Sequence, residues 1–219
     1  MKKFELTSEF VTFLGKKLFR IKALISFGNV EEGELGGYVE KEENLSNDGN
    51  AWVSGDAWVY GDAEVYGDAE VCGNAEVCGN ARVYGDARVY GDARVYGDAR
   101  VSGDAEVCGN AWVSGNAWVS GDAWVSGDAW VYGDAWVYGD ARVCGNADYA
   151  TVHGFGSEYR TTTFFRTKAG DIGVRCGCFY GTLEEFRAKV KETHGETKTA
   201  KEYLMVADLM EFRFSKEEA

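Results

Sequence analysis

The 219-residue chain contains no proline and only two histidines, His153 and His194. Without proline, sharp changes of chain direction fall to residues that reach positive φ, and 29 glycines are present to make them. Two histidines leave little material for general acid–base catalysis or histidine-rich metal ligation. No stretch approaches the roughly 20 apolar residues of a membrane-spanning helix. The first 22 residues lack an apolar run of signal length and carry scattered lysines and arginines, so neither export nor membrane insertion is expected. The six cysteines do not form a secreted disulfide framework; Cys72, Cys78, Cys108 and Cys144 share one local context and read as reduced thiols in a cytoplasm.

Positive charge is scarce where the chain is most regular. Residues 1–48, 49–150 and 151–219 contribute about -2, -11 and 0 to the net charge of -13. Phosphates are bound by lysine and arginine, so the acidic middle segment is not expected to bind nucleic acid directly, although it could imitate one.

That middle segment repeats Gly-(Asp/Asn)-Ala-x-Val-x sixteen times without a gap from Gly49 to Cys144, and Gly145, Asn146 and Ala147 begin a further copy. Ala-x-Val-x alternates like a short strand with Ala and Val on one face, and Gly followed by Asp or Asn makes a corner. Four-residue strands joined by two-residue corners cannot form hairpins with identical interior faces. They can coil so that each strand pairs with the one a full turn away, which predicts a β-solenoid.

The order aliphatic-x-Gly-Asp/Asn-small-x resembles the hexapeptide repeat of left-handed parallel β-helices. That resemblance implies a triangular, left-handed coil of three hexads, with residues 18 apart stacked at the sheet spacing of about 4.8 Å. Corner residues then form columns. Asn50, Asp68, Asp86, Asp104, Asp122 and Asp140 make one nearly continuous acidic edge, whereas the other two columns alternate Asp with Asn. Neighbouring exposed carboxylates repel by about 1 kcal/mol, so alternation relieves two edges and leaves the first charged. That edge is either a cation-binding or phosphate-mimicking ladder or a solvated corner. Outward positions form belts: Glu64, Glu70 and Glu76; then Arg82, Arg88, Arg94 and Arg100; then Glu106; then Trp112, Trp118, Trp124, Trp130 and Trp136. Opposite charges stacked in this register support one another. The Trp belt either receives a partner or another copy of the chain, or is an intercoil ladder enlarged by duplication.

The predicted organisation is mainly β, with an N-terminal β cap at 1–48, a solenoid at 49–150 and a small α+β module at 151–219. Residues 16–25 (KKLFRIKALI) suggest one cap strand, while residues 35–39 and Leu45 suggest imperfect first hexads. In the module, 161–167 and 172–179 suggest a hairpin, and Thr182 with Glu185 a capping box opening a helix to about His194. A second helix is expected over 199–212. Cys176 and Cys178, two apart on an expected strand, would face one side, and with His153 and His194 allow a four-ligand zinc site to be drawn; the alternative is buried thiols. No cofactor is expected.

Residues 35–53 (LGGYVEKEENLSNDGNAWV) and 176–186 (CGCFYGTLEEF) resemble uncharacterised phage and prophage proteins, implying a mobile-element origin and a bacterial host cytoplasm. The leading expectation is a non-enzymatic binding or scaffold protein, including an acidic mimic that inhibits a host DNA-binding or defence protein. Self-assembly is the second reading. An acyltransferase of the hexapeptide type is the third, with His153 as general base, but such enzymes interrupt their coils with a loop and this array has no interruption.

Overall fold

In the computed structural model, which describes residues 2–156 and 158–215, the chain forms a parallel β-solenoid of about six turns between two end pieces. Each hexad supplies a two-residue strand, shorter than its four-residue alternation predicts, from β4 (Trp52–Val53) to β19 (Arg142–Val143). Alanine is drawn into the corner, as the 3.3 Å bond from Ala57 N to the Ser54 carbonyl shows. The corner glycines lie at φ values such as +73° at Gly97, matching turns that require glycine at their first central position. Side chains are further excluded because a Cβ on Gly97 would lie 3.1 Å from the Gly115 nitrogen one coil on.

The coil register is three hexads, pairing Glu70 with Arg88 and Arg88 with Glu106. The hexads therefore line three parallel sheets. Their alanines and valines fill the interior at no more than 1% exposure.

At the N-terminal end, β1 (Phe4–Phe13) and β2 (Lys16–Ala23) form an antiparallel hairpin where the sequence suggested one strand. Strand β3 (Leu35–Val39) pairs antiparallel with β2 and parallel with Trp58–Val59, joining cap to coil. Coil carbonyls of the Gly, Ala and Val positions accept from the preceding coil, as Ala69 O does from Trp52 N; the first coil needs substitute donors. Tyr38 N and Glu40 N serve Ala57 O and Val59 O, and Ser46 N serves Val65 O. Two buried side chains complete much of the cap. Asn44 Nδ2 donates to Gly61 O and Ala63 O at 3.1 and 2.8 Å, and Lys3 Nζ to Gly49 O and Ala51 O at 3.2 and 2.8 Å.

Burial pulls the Lys3 ammonium down to about 8, against the attraction of Asp48 and Asp68. A folded-state pKa below the unfolded 10.5 means that the unfolded chain binds more protons between these values, so stability rises with pH there. The stability advantage of wild type over Lys3→Met should therefore shift in favour of wild type by at most about 3 kcal/mol between pH 7.5 and 10.5. Urea unfolding of both proteins checks this; a pH-independent difference would refute it.

The C-terminal module is an antiparallel sheet of β20 (Tyr149–Val152), β21 (Thr162–Arg166), β22 (Ile172–Cys176) and β23 (Phe179–Thr182), covered by α1 (Leu183–His194) and α2 (Lys198–Phe214). Thr182 Oγ1 accepts from Glu185 N and Glu185 Oε2 from Thr182 N, the expected capping box. Alternation along β21 sends Phe165 to the solenoid core and Phe164 to the helices. Side chains also end the ladder here: Trp136 N donates to Thr163 Oγ1 at 2.9 Å and Trp130 N to Asn146 Oδ1 at 2.8 Å.

Candidate binding surface

The charged belts stack as their spacing predicts. Glu64–Arg82, Glu70–Arg88 and Glu76–Arg94 approach to 3.6, 3.7 and 3.5 Å, pairs whose arginines lie in solvent and which are worth at most about 1 kcal/mol each. Arg100 is instead in register with Arg82, a like-charge neighbour, and leans over Trp118 with its guanidinium 5.9 Å from the ring. Arg94 lies 5.2 Å from the Trp112 ring. Two faces thus pass from glutamate through arginine to tryptophan along the axis.

The Trp belt is not uniformly open. Trp124 and Trp130 are 41% and 45% exposed, whereas Trp112, Trp118 and Trp136 are half-buried. Trp118 and Trp136 stack at 4.8 Å with 7° between their planes, and the Arg175 guanidinium covers Trp136 at 3.8 Å.

A second offset, invisible in the three-hexad register, explains much of this burial. Trp118 Nε1 donates to Ser102 Oγ at 2.9 Å, Trp124 Nε1 to Cys108 Sγ at 3.0 Å and Trp130 Nε1 to Ser114 Oγ at 3.3 Å, each pair 16 residues apart. Ser102, Ser114 and Ser120 are only 5% exposed although they occupy outward positions. Large residues thus rest on small ones across coils. Tyr90 Oη donates to Glu106 Oε2 at 2.8 Å with the same offset, and Tyr60 Oη bonds Glu76 in the same way. Trp112 and Trp136 make no such bond: Trp112 meets Tyr96 edge-on at 6.1 Å, and Trp136 Nε1 and Ser120 Oγ, 16 residues apart, are both buried without a partner. The signal was present as Ser or Cys in the hexads preceding tryptophans, but a search at multiples of six passes over it.

Asp68, Asp86, Asp104 and Asp122 are exposed; Asp140 is half-buried and accepts from Tyr180 Oη at 3.1 Å. Asn50 Nδ2 donates to Asp68 Oδ1 at 2.7 Å. In the alternating columns, Asn74, Asn80, Asn110 and Asn116 each donate to the aspartate one coil onward at 2.9 to 3.0 Å. A neutral amide thus relieves repulsion without cancelling the carboxylate charge.

The drawn zinc site is not assembled. Strand β22 ends at Cys176, and Gly177 at φ +57° begins a two-residue turn that leaves Cys178 exposed, so the two thiols do not share a strand face. Cys176 and Cys178 line one cleft with His194, while His153 Nδ1 contacts Thr161 Oγ1 at 3.0 Å. Among the described residues no group of three or more His, Cys, Asp and Glu side chains is arranged to hold a metal ion. All six cysteines are free, and burial pushes the Cys72 and Cys78 thiols up. No helix among the described residues is long and apolar enough to cross a membrane.

Comparison with known families finds the YdcK beta solenoid repeat, matched at residues 75–91, 81–94, 87–103, 93–109 and 105–121. Every matched copy begins on the alanine of a hexad, and all but the one at 81–94 stop just short of a full three-hexad coil. The chain is therefore similar to a class of β-solenoid repeat proteins through its central coils. No curated protein matches it.

Proposed function

We propose that the protein is a non-enzymatic solenoid scaffold that binds a protein partner on its outer surface. The observation that carries this reading is the juxtaposition of exposed Trp124 and Trp130 with regularly spaced, exposed corner carboxylates. A monomer gains little from leaving such aromatic area in water, and the acidity selects a basic partner face. An acidic mimic that occupies a host DNA-binding or defence protein is the specific form. The likeness of residues 35–53 and 176–186 to phage and prophage proteins supports that setting.

The test is capture of bacterial proteins by immobilised wild type and by two variants, one carrying Asp68, Asp86, Asp104, Asp122 and Asp140 all changed to Asn, the other Trp124→Ser with Trp130→Ser. Loss of a specific partner in both is expected. Capture by the Asn variant equal to wild type would remove charge mimicry, and capture unchanged by both would remove the surface altogether. Self-assembly by end-to-end strand pairing is opposed by the cap bonds at the two ends, from Lys3 and Asn44 at one and to Asn146 and Thr163 at the other.

A further inference from the structure

We propose that Cys176 and Cys178 form a redox-active dithiol, which closes to an intrachain disulfide by exchange with a small disulfide such as glutathione disulfide. The proposal does not depend on the binding reading above. Cys176 is the last residue of β22 and pairs with Phe179 of β23, so Gly177 and Cys178 are the two central residues of the turn. Of the two, Gly177 alone has positive φ, at +57°, the arrangement of a type II′ turn. Residues two apart span at most about 7 Å between Cα atoms. The turn shortens that span into the range of about 4.4–6.8 Å that a disulfide bridges.

The two thiols open onto one cleft of about 310 Å³ but differ in access. Cys178 is exposed, whereas Cys176 is half-buried, accepts from Thr162 Oγ1 at 3.2 Å and lies 3.9 Å from Tyr203 Oη. Cys178 is therefore the attacking thiol and Cys176 the resolving one. Arg160, in an exposed pair with Glu158 at 3.8 Å, reaches over the turn: a Cβ on Gly177 would lie 3.3 Å from its Nη1. Its positive charge stands at the residue between the two cysteines, where exchange develops negative charge on sulfur. The Cys178 thiolate attacks one sulfur of a disulfide R–S–S–R, forming a mixed disulfide and releasing RS⁻. The Cys176 thiolate then attacks the Cys178 sulfur, breaking its bond to SR and releasing a second RS⁻. The protons shed by the two cysteines end on the two RS⁻ groups, so two thiols are oxidised and one disulfide is reduced. No solenoid cysteine has such a partner: the residues stacked one coil from Cys72, Cys78, Cys108 and Cys144 within the array are serines and tyrosines.

The reduced full-length protein can be mixed with glutathione disulfide, quenched in acid and mapped by peptide mass spectrometry. Wild type should form the Cys176–Cys178 disulfide, reversed by dithiothreitol, while exposed Cys144 stops at its glutathione adduct. Cys176→Ser should stop at the adduct on Cys178. Cys178→Ser should form its adduct on Cys176 at least about tenfold more slowly, and urea should abolish that difference. Wild type that stops at the Cys178 adduct overturns the proposal, as do equal rates in the two folded variants or a difference that persists in urea. The hydroxyl of Cys176→Ser can still accept from Thr162, and circular dichroism confirms that both variants fold. The wild-type measurement needs no substitution and decides ring closure by itself.

Discussion

Gly97→Ala should destabilise the protein by more than the left-handed backbone cost of about 1–2 kcal/mol, while Gly145→Ala changes little and Gly133→Ala falls between them. Two costs are separable because three corners differ in a graded way. Gly145 is not at positive φ, and nothing lies within 4 Å of a Cβ placed there. Gly133 has φ +68° and open space, so its substitution reports the backbone cost alone. Gly97 adds crowding: the new Cβ meets the Gly115 nitrogen at 3.1 Å and the Gly115 carbonyl oxygen at 3.2 Å. Those atoms belong to a backbone pinned by its own coil contacts, so the corner above must move. Urea unfolding of the three variants gives the ordering; equal losses at Gly97 and Gly133 would show that stacked corners tolerate a methyl group.

Asn44→Leu should cost roughly 2–4 kcal/mol, although it exchanges side chains of similar size at a fully buried position. Removing the amide leaves Gly61 O and Ala63 O without their donor, each buried acceptor costing about 1–3 kcal/mol. It also deletes the acceptor for Lys41 N, bonded to Asn44 Oδ1 at 3.0 Å. As a control, Lys2→Met breaks only the exposed pair with Glu42 and should change stability by less than about 1 kcal/mol. A second consequence distinguishes loss of the cap from simple loss of packing. With the carbonyl edge open, Asn44→Leu should sediment as larger species at high concentration. A monomer with unaltered melting temperature would show that water replaces the amide freely.

The coil, its register, the corner columns and the α1 capping box were legible because each depends on residues close in sequence or at a fixed period. Ala and Val at every hexad left a single face to bury and so predicted a coil, and the resemblance to hexapeptide left-handed β-helices supplied its three-hexad turn. The end pieces were less legible. Strand β1 carries an irregularity between Leu6 and Phe10 that breaks its alternation, so a period of two does not reveal it. Lys3 and Asn44 look like ordinary polar residues in sequence; Lys3 becomes a cap only by meeting carbonyls 46 and 48 positions away. On the surface, stacking partners were readable at a spacing of three hexads, whereas the bonds that bury Ser102 and Ser114 run at a separation of 16. On α2, Tyr203, Ala207 and Met210 recur at helical spacing and are buried, while Met205, Leu209 and Phe212 fall on the exposed face of the helix.

Because all three faces carry the same alanine and valine interior, the core is indifferent to the number of hexads, but the two ends of the molecule are not. Adding or deleting one hexad would turn the C-terminal module by about a third of a revolution relative to the N-terminal hairpin, whereas adding three would only lengthen the distance between them by roughly one sheet spacing, about 4.8 Å. Hexad number therefore acts as an angular setting: chains differing by multiples of three would present the C-terminal module and the β1–β2 hairpin in the same direction, and those differing by one or two would present them to different sides.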